Sequence, residues 1–452
     1  MSTTQTSSPA SARSEGLILE ENHDLPLCRV QVTMRSGASS DISEEGHDAE
    51  RGTGCGVIGA TNFATELMRR GAGGMSRAAL DEAVDALGAS LQVLCWHDQV
   101  VFEVMALREN IDAACGLLAD VLLRPEFSVD EGERLRRELQ ASLDDMRDDD
   151  GSLMHRFFGR ELYGNHPYGR PVAGTAESME QLSVEQARNW HRYHLTSGNV
   201  LFGAAGDLTA SELTDLLGRH FSGIPAGPRR DAELKTAQAP VGRRLVIVDK
   251  PERTQSQIVL GHLAPAWRSP DFLPLYVATN AFGGTFTARL MDEVRSKRGL
   301  SYGASARLST GRGARALYAH VFPSAEQTPE TLELVLRLYE EWATAGLRPG
   351  ELEFSRGYLQ NSHAFTIQTP EDRLSLRTRL LLCNMSQDMV HGFPAQVGAV
   401  TPEDVRRAMS ANLHPQDLLI TLVATAKTIL PQLERMPALA GVPIEVVPFD
   451  SY

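Results

Sequence analysis

The chain has few of the features that mark secreted, membrane-spanning or nucleic-acid-binding proteins. It contains five cysteines, an odd number without a C-x-x-C pair, so we expect neither a disulfide framework nor a structural zinc site. No apolar run approaches the roughly 20 residues that a membrane helix needs. Acidic residues outnumber basic ones, 58 to 44, and the net charge of −14 argues against nucleic-acid binding. These absences predict a cytoplasmic protein without nucleic-acid or membrane partners.

The first residues also lack the apolar stretch of a signal peptide. Residues 1–14 are rich in serine and threonine, and we predict that they form a disordered tail. The 452 residues exceed the length of one ordinary domain, and apolar residues make up 42% of the chain. Two domains with sizeable cores are therefore expected.

The chain also lacks the histidine spacing of zinc peptidases. None of its 13 histidines begins H-x-x-E-H or H-E-x-x-H, in which two imidazoles share one helical face with a glutamate as base. Between Asp48 and Trp96 there is no histidine at all. His191 and His194 have ligand spacing, but no acidic residue adjoins them, so core and cap roles are favoured. A structural role is expected for His166, which lies in a loop with two prolines. We predict no metal site on this chain.

Two distant segments have nearly the same sequence pattern. Ser183 begins the first as a helix cap, with Gln186 three residues on, and a turn leads into the apolar run Asn199–Ala205. Thr401 begins the second, with proline at the first helical position, and a turn leads into Leu418–Val423. Both segments predict a capped helix followed by a strand.

A second pair of segments repeats at a similar offset. The triplet L-R-P, which begins at Leu123 and again at Leu347, precedes a helix that contains L-Q-x-S. The order and spacing predict two homologous domains, residues 15–225 and 243–452, joined by a linker over residues 226–242. Each half mixes alternating strands with long amphipathic helices. This mixture indicates an α+β fold, with an antiparallel sheet packed by helices in each domain.

The most specific motif lies in the second half. Residues 282–290 read F-G-G-T-F-T-A-R-L, and residues 292–302 read D-E-V-R-S-K-R-G-L-S-Y. In the first half, matching blocks occupy residues 71–89, 162–169 and 204–208. Over nearly its whole length the chain resembles the pitrilysin/insulinase-type (M16) metallopeptidases.

The resemblance implies half of a clam-shell chamber. In this family four similar α/β domains enclose the peptidase site, and bacterial members often divide them over two chains. In such two-chain members, either the two chains are identical, or one chain carries the zinc motif and the other carries an Arg/Tyr pair. At the position of H-x-x-E-H this chain has Phe63, Glu66 and Leu67, so its zinc site is degenerate and Glu66 is expected to be a solvated carboxylate. Arg295 and Tyr302 match the Arg/Tyr pair.

The resemblance also implies roles for the retained residues in the partner's site. Arg295 would hold a substrate carbonyl, and Tyr302 would donate to the oxyanion. Gly283 and Gly284 are assigned to substrate binding, in turns that present the pair. On spacing alone, Arg295 and Arg298 are instead cations at a helix C-terminus and Tyr302 a strand aromatic. Glu138, in the region of the third zinc ligand, is expected on the surface.

Three functions remain open. The favoured one is a non-zinc-binding subunit of a heterodimeric zinc endopeptidase that cleaves peptides or a precursor peptide. Substrate would add as an edge strand, and zinc would be bound by a paralogue that carries the motif. This chain, without a cofactor of its own, is not expected to hydrolyse peptides alone. The alternatives are a catalytically silent scaffold, as in the core subunits of respiratory complexes, and a stand-alone peptide-binding module.

Overall fold

The computed structural model describes residues 17–41, 56–230 and 234–451. The predicted tail and Cys55 lie outside these ranges. The strands are β1 (Leu17–Glu21), β2 (Leu27–Met34), β3 (Gly71–Ala72), β4 (Met75–Ser76), β5 (Ser90–Cys95), β6 (Val100–Leu107), β7 (Val200–Gly206), β8 (Arg244–Asp249), β9 (Gln257–Ala264), β10 (Ser301–Leu308), β11 (Arg315–Pro323), β12 (Leu419–Ala424) and β13 (Ile444–Pro448).

The α-helices are α1 (Ala60–Met68), α2 (Arg77–Ala86), α3 (Ile111–Leu123), α4 (Val129–Asp148), α5 (Asp150–Tyr163), α6 (Ala176–Gln181), α7 (Val184–His194), α8 (Ala210–His220), α9 (Phe272–Thr279), α10 (Arg289–Met291), α11 (Thr328–Ala345), α12 (Glu351–Thr366), α13 (Pro370–Leu382), α14 (Met389–Ala399), α15 (Pro402–Asn412) and α16 (Ala426–Leu433). Two π-helical turns follow α9 and α10, at Asn280–Gly284 and Asp292–Ser296.

The chain divides into two compact units, and each unit includes a helix from the other half of the sequence. The first unit consists of described residues from three segments: Met1–Gln140, Pro171–Glu233 and Phe365–Val390. The second consists of Ala141–Arg170, Leu234–Ala364 and His391–Tyr452. Helix α13 thus belongs to the first unit and α5 to the second, an exchange that the sequence did not predict. The predicted domain boundaries, residues 15–225 and 243–452, describe homologous halves of the sequence and not compact units. They stay a prediction.

The first unit is built on a five-stranded sheet with the order β1-β7-β2-β6-β5. Strand β7 runs parallel to β1 and antiparallel to β2, and the remaining neighbours pair antiparallel. Helix α13 packs on β1 and β7, where Leu374 joins Ile18 and Ala205 in a small buried cluster. Arg373 Nε donates to the Glu20 carboxylate at 2.8 Å, which ties this helix to the first strand.

The second unit repeats this topology. Its six strands have the order β13-β8-β12-β9-β11-β10. Strand β12 runs parallel to β8 and antiparallel to β9, and β9, β11 and β10 continue antiparallel. The sequence β8-β12-β9-β11-β10 therefore matches β1-β7-β2-β6-β5 strand by strand, as the internal repeat predicts. Strand β10 is an edge strand, and it carries Tyr302.

The α+β class is confirmed, and most neighbouring strands of each predicted sheet pair antiparallel, but each sheet also contains parallel pairs toward one edge. Strand β1 is parallel to β7, and β8 is parallel to both β12 and β13. Parallel neighbours need a long crossover, and the helices between these strands provide one. Periodicity of apolar residues identifies a strand but carries no information about its direction, so it could not distinguish these pairs.

Helix boundaries follow the caps that the sequence indicates. Ser183 Oγ accepts from the backbone of Gln186 at 3.3 Å, and Gln186 Oε1 accepts from the backbone of Ser183 at 2.8 Å. Thr401 and Asp404 form the same reciprocal box, with both distances at 3.1 Å. Strands β7 and β12 follow helices α7 and α15, so both predicted helix–strand segments are confirmed.

The second sheet has helices on both faces. On one face, residues such as Leu260, Val321 and Trp342 form a large buried core with the helices α9, α11 and α15. On the other face, α5 buries Leu153 and Phe157 against strands β8, β9 and β12. Among the described residues no helix is both long and apolar enough to cross a membrane. The four described cysteines are free thiols.

Candidate functional site

Helix α1 carries the three residues at the degenerate zinc position. Gly59 precedes this helix with a φ of 88°, in the left-handed region that favours glycine. The carboxylate of Asp41 accepts hydrogen bonds from the backbone of Gly59 at 2.7 Å and of Thr61 at 2.9 Å, and so caps the helix. The helix start is therefore fixed, and Phe63 and Leu67 both project into the core, 2% and 1% exposed.

Phe63 and Leu67 face helix α4 at a glycine. A Cβ at Gly132 would lie 3.8 Å from Phe63 Cζ and 3.9 Å from Leu67 Cδ2, and only 2.6 Å from Val184 Cγ2. Three apolar side chains thus fill the space between α1, α4 and α7. Zinc takes nitrogen, sulfur or oxygen ligands, which Phe63 and Leu67 do not have. The donor set at this position does not fit a zinc ion, and no group of three metal-ligating side chains occurs elsewhere in the described chain.

The two acidic residues of the degenerate site have different environments, and arginines hold only Glu138. Arg70 Nη1 donates to Glu138 Oε1 at 3.1 Å, and Arg77 lies 3.5 Å from the same oxygen. The hydrogen bond from Arg70 lowers the pKa of Glu138, which is about half exposed, as expected. Glu66 is half-buried instead of fully solvated. Burial raises its pKa, and the positive charge of Arg70 lowers it by a smaller amount.

The remaining candidate histidines have structural environments. His191 Nε2 donates to the carbonyl of Leu122 at 2.6 Å. His194 is 3% exposed and stacks on Trp190, with ring centroids 4.8 Å apart. Burial lowers the pKa of His194 to about 3, so the ring is neutral at physiological pH. His166 hydrogen-bonds two backbone groups. The core and cap roles favoured by the sequence agree with these contacts.

Arg295 lies between two aromatic rings. Its guanidinium carbon is 4.7 Å from the ring centroid of Phe286 and 4.8 Å from that of Tyr302. Both rings are open to solvent, 64% and 78% exposed. Within the described chain Arg295 has no carboxylate at ion-pair distance. We call Phe286, Arg295 and Tyr302 the aromatic clamp; it orients a guanidinium by cation–π contacts and leaves its N–H donors available.

The cation at the helix end is a different arginine. Arg298 Nη1 donates to the backbone carbonyl of Glu293 at 2.8 Å and to its carboxylate at 2.6 Å. Hydrogen bonds from Lys297 and Arg298 lower the pKa of Glu293 to about 2. Arg295 itself lies on the second π-helical turn, a feature that is frequent at functional sites. The helix-end role that spacing alone suggested for Arg295 is therefore filled by Arg298.

The glycines of the motif allow close packing. A Cβ at Gly283 would lie 2.5 Å from the backbone nitrogen of Ala306 on β10, and one at Gly284 would lie 2.5 Å from Asn280 Nδ2. Neither glycine has a left-handed φ, whereas Gly299, which leads into β10, has one of 65°. Gly283 lets the first π-helical turn approach β10, and its assignment to substrate binding stays a prediction.

Tyr302 lies at an irregular position of the edge strand. The register of β10 against β11 shifts between Ser301 and Ala304, the mark of a β-bulge. Bulges redirect side chains, and Tyr302 is the most exposed residue of this part of the strand. No described strand pairs with the free side of β10. Its backbone groups can therefore bind an extended peptide by strand addition.

The structure brings together Arg295 and Tyr302 but adds a residue that the sequence did not single out. Phe286 is part of the F-G-G-T-F motif, but an exposed aromatic in a loop has no periodic signal. The predicted residues divide between the units. Those in the first unit are Phe63, Glu66 and Leu67; those in the second are Gly283, Gly284, Arg295 and Tyr302.

Two family sequence models match consecutive segments of the chain. Residues 56–176 match the insulinase model of peptidase family M16, and residues 181–357 match the model described as the peptidase M16 inactive domain. Together the two matches span more than half of the chain.

Similar proteins are named both as zinc proteases and as a non-peptidase homolog. A protein of Mycobacterium tuberculosis named an uncharacterized zinc protease is 28% identical over 360 residues, which cover 78% of this chain and 81% of that protein. A protein of Helicobacter pylori named a non-peptidase homolog is 19% identical, covering 91% of this chain and 92% of its own length.

A solved structure has the same fold. The peptidase M16 inactive domain from Pseudomonas fluorescens superposes with a TM-score of 0.80 at 22% identity, and the match covers 91% of this chain and 96% of that one.

Proposed function

Because the chain belongs to peptidase family M16, we propose that it is the metal-free subunit of a two-chain zinc endopeptidase. Its partner is a paralogue that carries the zinc motif. This chain supplies Arg295 and Tyr302 to the partner's site, and the substrates are peptides or a precursor peptide. The apolar packing of Phe63 and Leu67 and the name of the Helicobacter pylori relative support an inactive subunit.

The aromatic clamp is the observation that carries the proposal. A scaffold needs no exposed arginine fixed between two exposed rings, because such a group adds little to stability. The contacts with Phe286 and Tyr302 restrict the guanidinium and so reduce the entropy lost when it binds a ligand. Preorganised donors of this kind are what a polar transition state requires.

Each clamp residue has a distinct chemical role in this proposal. Arg295 donates to a backbone carbonyl of the substrate and holds the peptide in register. The Tyr302 hydroxyl donates to the oxygen of the scissile carbonyl as it gains negative charge. The partner's zinc supplies Lewis-acid polarisation and an activated water. Loss of one oxyanion donor costs on the order of 100- to 1000-fold in rate.

The free side of β10 extends the same site along the substrate. An extended peptide that pairs with this strand would be held by main-chain hydrogen bonds, which do not depend on sequence. Its carbonyls would then pass the exposed end of the strand where Tyr302 projects. We further propose that the protein acts in a reducing compartment, the cytoplasm, in agreement with its free cysteines.

The test is reconstitution with the nearest paralogue that has H-x-x-E-H. Peptidase activity on a quenched peptide mixture and zinc content are measured for this chain, for the paralogue and for the mixture. Activity that requires both chains, with zinc bound by the paralogue, is the expected result. Zinc-dependent activity of this chain alone would contradict the proposal.

The catalytic contribution is tested by Arg295→Ala and Tyr302→Phe in the reconstituted pair. Both variants should lower kcat/KM while the two chains still elute together on gel filtration. As a matched control, Arg406→Ala removes an exposed arginine from helix α15 and should leave the rate unchanged. If both clamp variants keep the wild-type rate and the complex still forms, the chain is a scaffold.

A further inference from the structure

A group of polar side chains lies on the second sheet, on the face that α5 only partly covers. Along β10 and β11, residues alternate between a buried face and a half-open one. The buried residues join the large core. Four residues of the half-open face belong to this group: Ser305, Arg307, Tyr318 and His320. Together with His155 of helix α5, we call them the β10–β11 patch.

The register of the sheet places the members of the patch side by side. Ser305 is opposite His320 and Arg307 is opposite Tyr318 in the antiparallel pairing of β10 with β11. Directly opposed residues have Cβ atoms about 5 Å apart. From helix α5, the ring of His155 contacts both Tyr318 and His320, with centroids 5.5 Å apart in each case.

Most polar groups of the patch have no hydrogen-bond or ion-pair partner in the described chain. Arg307 has no carboxylate at ion-pair distance, and neither the Tyr318 hydroxyl, the Ser305 hydroxyl nor the His155 ring makes a hydrogen bond. His320 alone is engaged, through Nε2 and Gln257 Oε1 at 2.9 Å. The patch therefore offers a guanidinium, two hydroxyls and an imidazole without a ligand.

The electrostatics of the patch favour an anion. Arg307 lowers the pKa of both histidines, in addition to the larger effect of burial, so the rings are neutral donors and Arg307 is the single full charge. The one carboxylate that acts on His155 is Asp149, which is occupied as the cap of α5 by accepting from the backbone of Ser152 at 2.5 Å.

We propose that the β10–β11 patch binds the C-terminal carboxylate of a peptide that lies along β10. Past the last residue that pairs with β10, the peptide turns from the free edge onto this face of the sheet. There Arg307 holds the carboxylate by charge-assisted hydrogen bonds, and Ser305, Tyr318 and His155 complete its coordination. The inference rests on the proposed function, since it names the class of substrate: short peptides with a free C-terminus. It adds a second anchor to the site of Arg295 and Tyr302.

A main-chain carboxylate fits better than an acidic side chain for a positional reason. Tyr302 and Arg307 are on the same strand, five residues apart, and the bulge at Tyr302 takes up one of these residues. Since strands rise about 3.3 Å per residue, the two groups are roughly 13 Å apart. A peptide paired with β10 spans this distance with about four residues. Its end then meets Arg307 whatever its sequence, whereas an acidic side chain would restrict the substrates to one sequence.

The test measures binding of peptides to this chain alone, so that no peptidase partner is needed. Two fluorescent peptides of about ten residues, without acidic side chains, differ only in a free or an amidated C-terminus. A charged hydrogen bond is worth about a tenfold change in Kd or more, so the free acid should bind at least about tenfold more tightly. Arg307→Gln should abolish this preference and leave binding of the amide unchanged.

Two further variants separate the patch from overall charge and folding. Lys427→Gln removes one exposed positive charge from helix α16 of the same unit and should keep the full preference. Tyr318→Phe removes only a hydroxyl and should reduce the preference about threefold, so it tests the patch even if Arg307→Gln fails to fold.

Equal Kd values for the acid and the amide, or binding of neither peptide, would overturn the inference. A peptide with an internal aspartate and an amidated end that matches the free acid would assign the patch to acidic side chains and would also contradict it. These results are independent of the proposed function. The reconstituted pair can retain activity dependent on Arg295 and Tyr302 while the patch shows no preference.

Discussion

Arg295 makes a cation–π contact with Tyr302, with its guanidinium carbon 4.8 Å from the ring centroid, although the two are seven positions apart in the sequence. The second π-helical turn and the left-handed Gly299 bring the chain back within this distance. The contact links the two residues that the proposed mechanism needs in one place. Phe286 contacts the same guanidinium, 4.7 Å from its ring centroid, and so should influence the position of Arg295.

Phe286→Leu should slow the reconstituted peptidase by about two- to fivefold, because an exposed cation–π contact is worth about 0.5–1 kcal/mol. The loss should be in kcat, since the guanidinium would still be present but less restricted. The measurement is steady-state kinetics of the pair. Phe354→Leu, which alters another exposed phenylalanine of the second unit, is the control and should have no effect. An unchanged kcat for Phe286→Leu would remove its positioning role.

Restoring histidines at the degenerate site should destabilise the chain and make its stability depend on zinc. Phe63→His with Leu67→His places two imidazoles in an apolar space, at a cost of about 1–3 kcal/mol each. Zinc at 100 times its Kd should recover about 2.7 kcal/mol. Thermal unfolding with and without zinc measures both effects.

Adding Glu138→Gln to the double variant provides the control for the zinc response. Glu138 is the carboxylate that remains near the site, so its loss should remove the stabilisation by zinc. If zinc does not raise the Tm of the double variant, the backbone of α1 and α4 no longer has the geometry of a zinc site.

Glu66→Gln should leave the activity of the reconstituted pair within about twofold of wild type, the range of ordinary surface changes. Burial raises the pKa of Glu66, so ionisation at neutral pH costs free energy that an amide does not require. The variant should therefore unfold at the same or a higher temperature. A large loss of activity would show that this carboxylate retains a catalytic role.

His194→Phe should reduce the loss of stability in mild acid. The folded pKa of His194 is about 3, below its ordinary value of 6.5, so the unfolded chain binds a proton in this range that the folded chain does not. Stability then falls as the pH drops below about 6.5, by at most about 1.4 kcal/mol per pH unit for this group. Carboxylates titrate at lower pH, so they do not contribute to the difference in stability between the wild type and the variant from about pH 7 to 5.

The variant itself is expected to be well tolerated at neutral pH. His194 Nδ1 is buried without a hydrogen-bond partner, and phenylalanine keeps the stacking on Trp190. Urea unfolding of the wild type and the variant between about pH 7 and 5 gives the slope of the free energy of unfolding against pH for each protein. Parallel slopes would show that His194 is accessible to protons in the folded state.

The sequence predicted the local elements well because their causes are local. The boxes at Ser183 and Thr401 determine where α7 and α15 begin, and three or four residues are enough to identify them. The internal repeat predicted a duplicated fold, and the strand orders agree with it. The family motif located Arg295 and Tyr302, whose roles stay predictions.

The features that the sequence did not predict depend on distant contacts. Phe286 closes over Arg295 only because the loop before α10 folds back, and nothing in its spacing indicates this. The exposed fraction of Glu66 depends on α4, which is far from it in the chain. The exchange of α5 and α13 between the units is a tertiary arrangement without a periodic signal.

The exchange of helices has a consequence for synthesis on the ribosome. Arg373 of α13 and Glu20 of β1 are 353 residues apart, so the first sheet lacks one of its covering helices until most of the chain has been made. At roughly 5–20 residues per second, the 169 residues from Ala205 to Leu374 take about 8–34 s to make. During this time, the surface around Ile18 and Ala205 is without Leu374 and exposed to other nascent chains. A gene that encodes only the first half would end in this incomplete state, and its product should aggregate unless residues 365–390 are supplied.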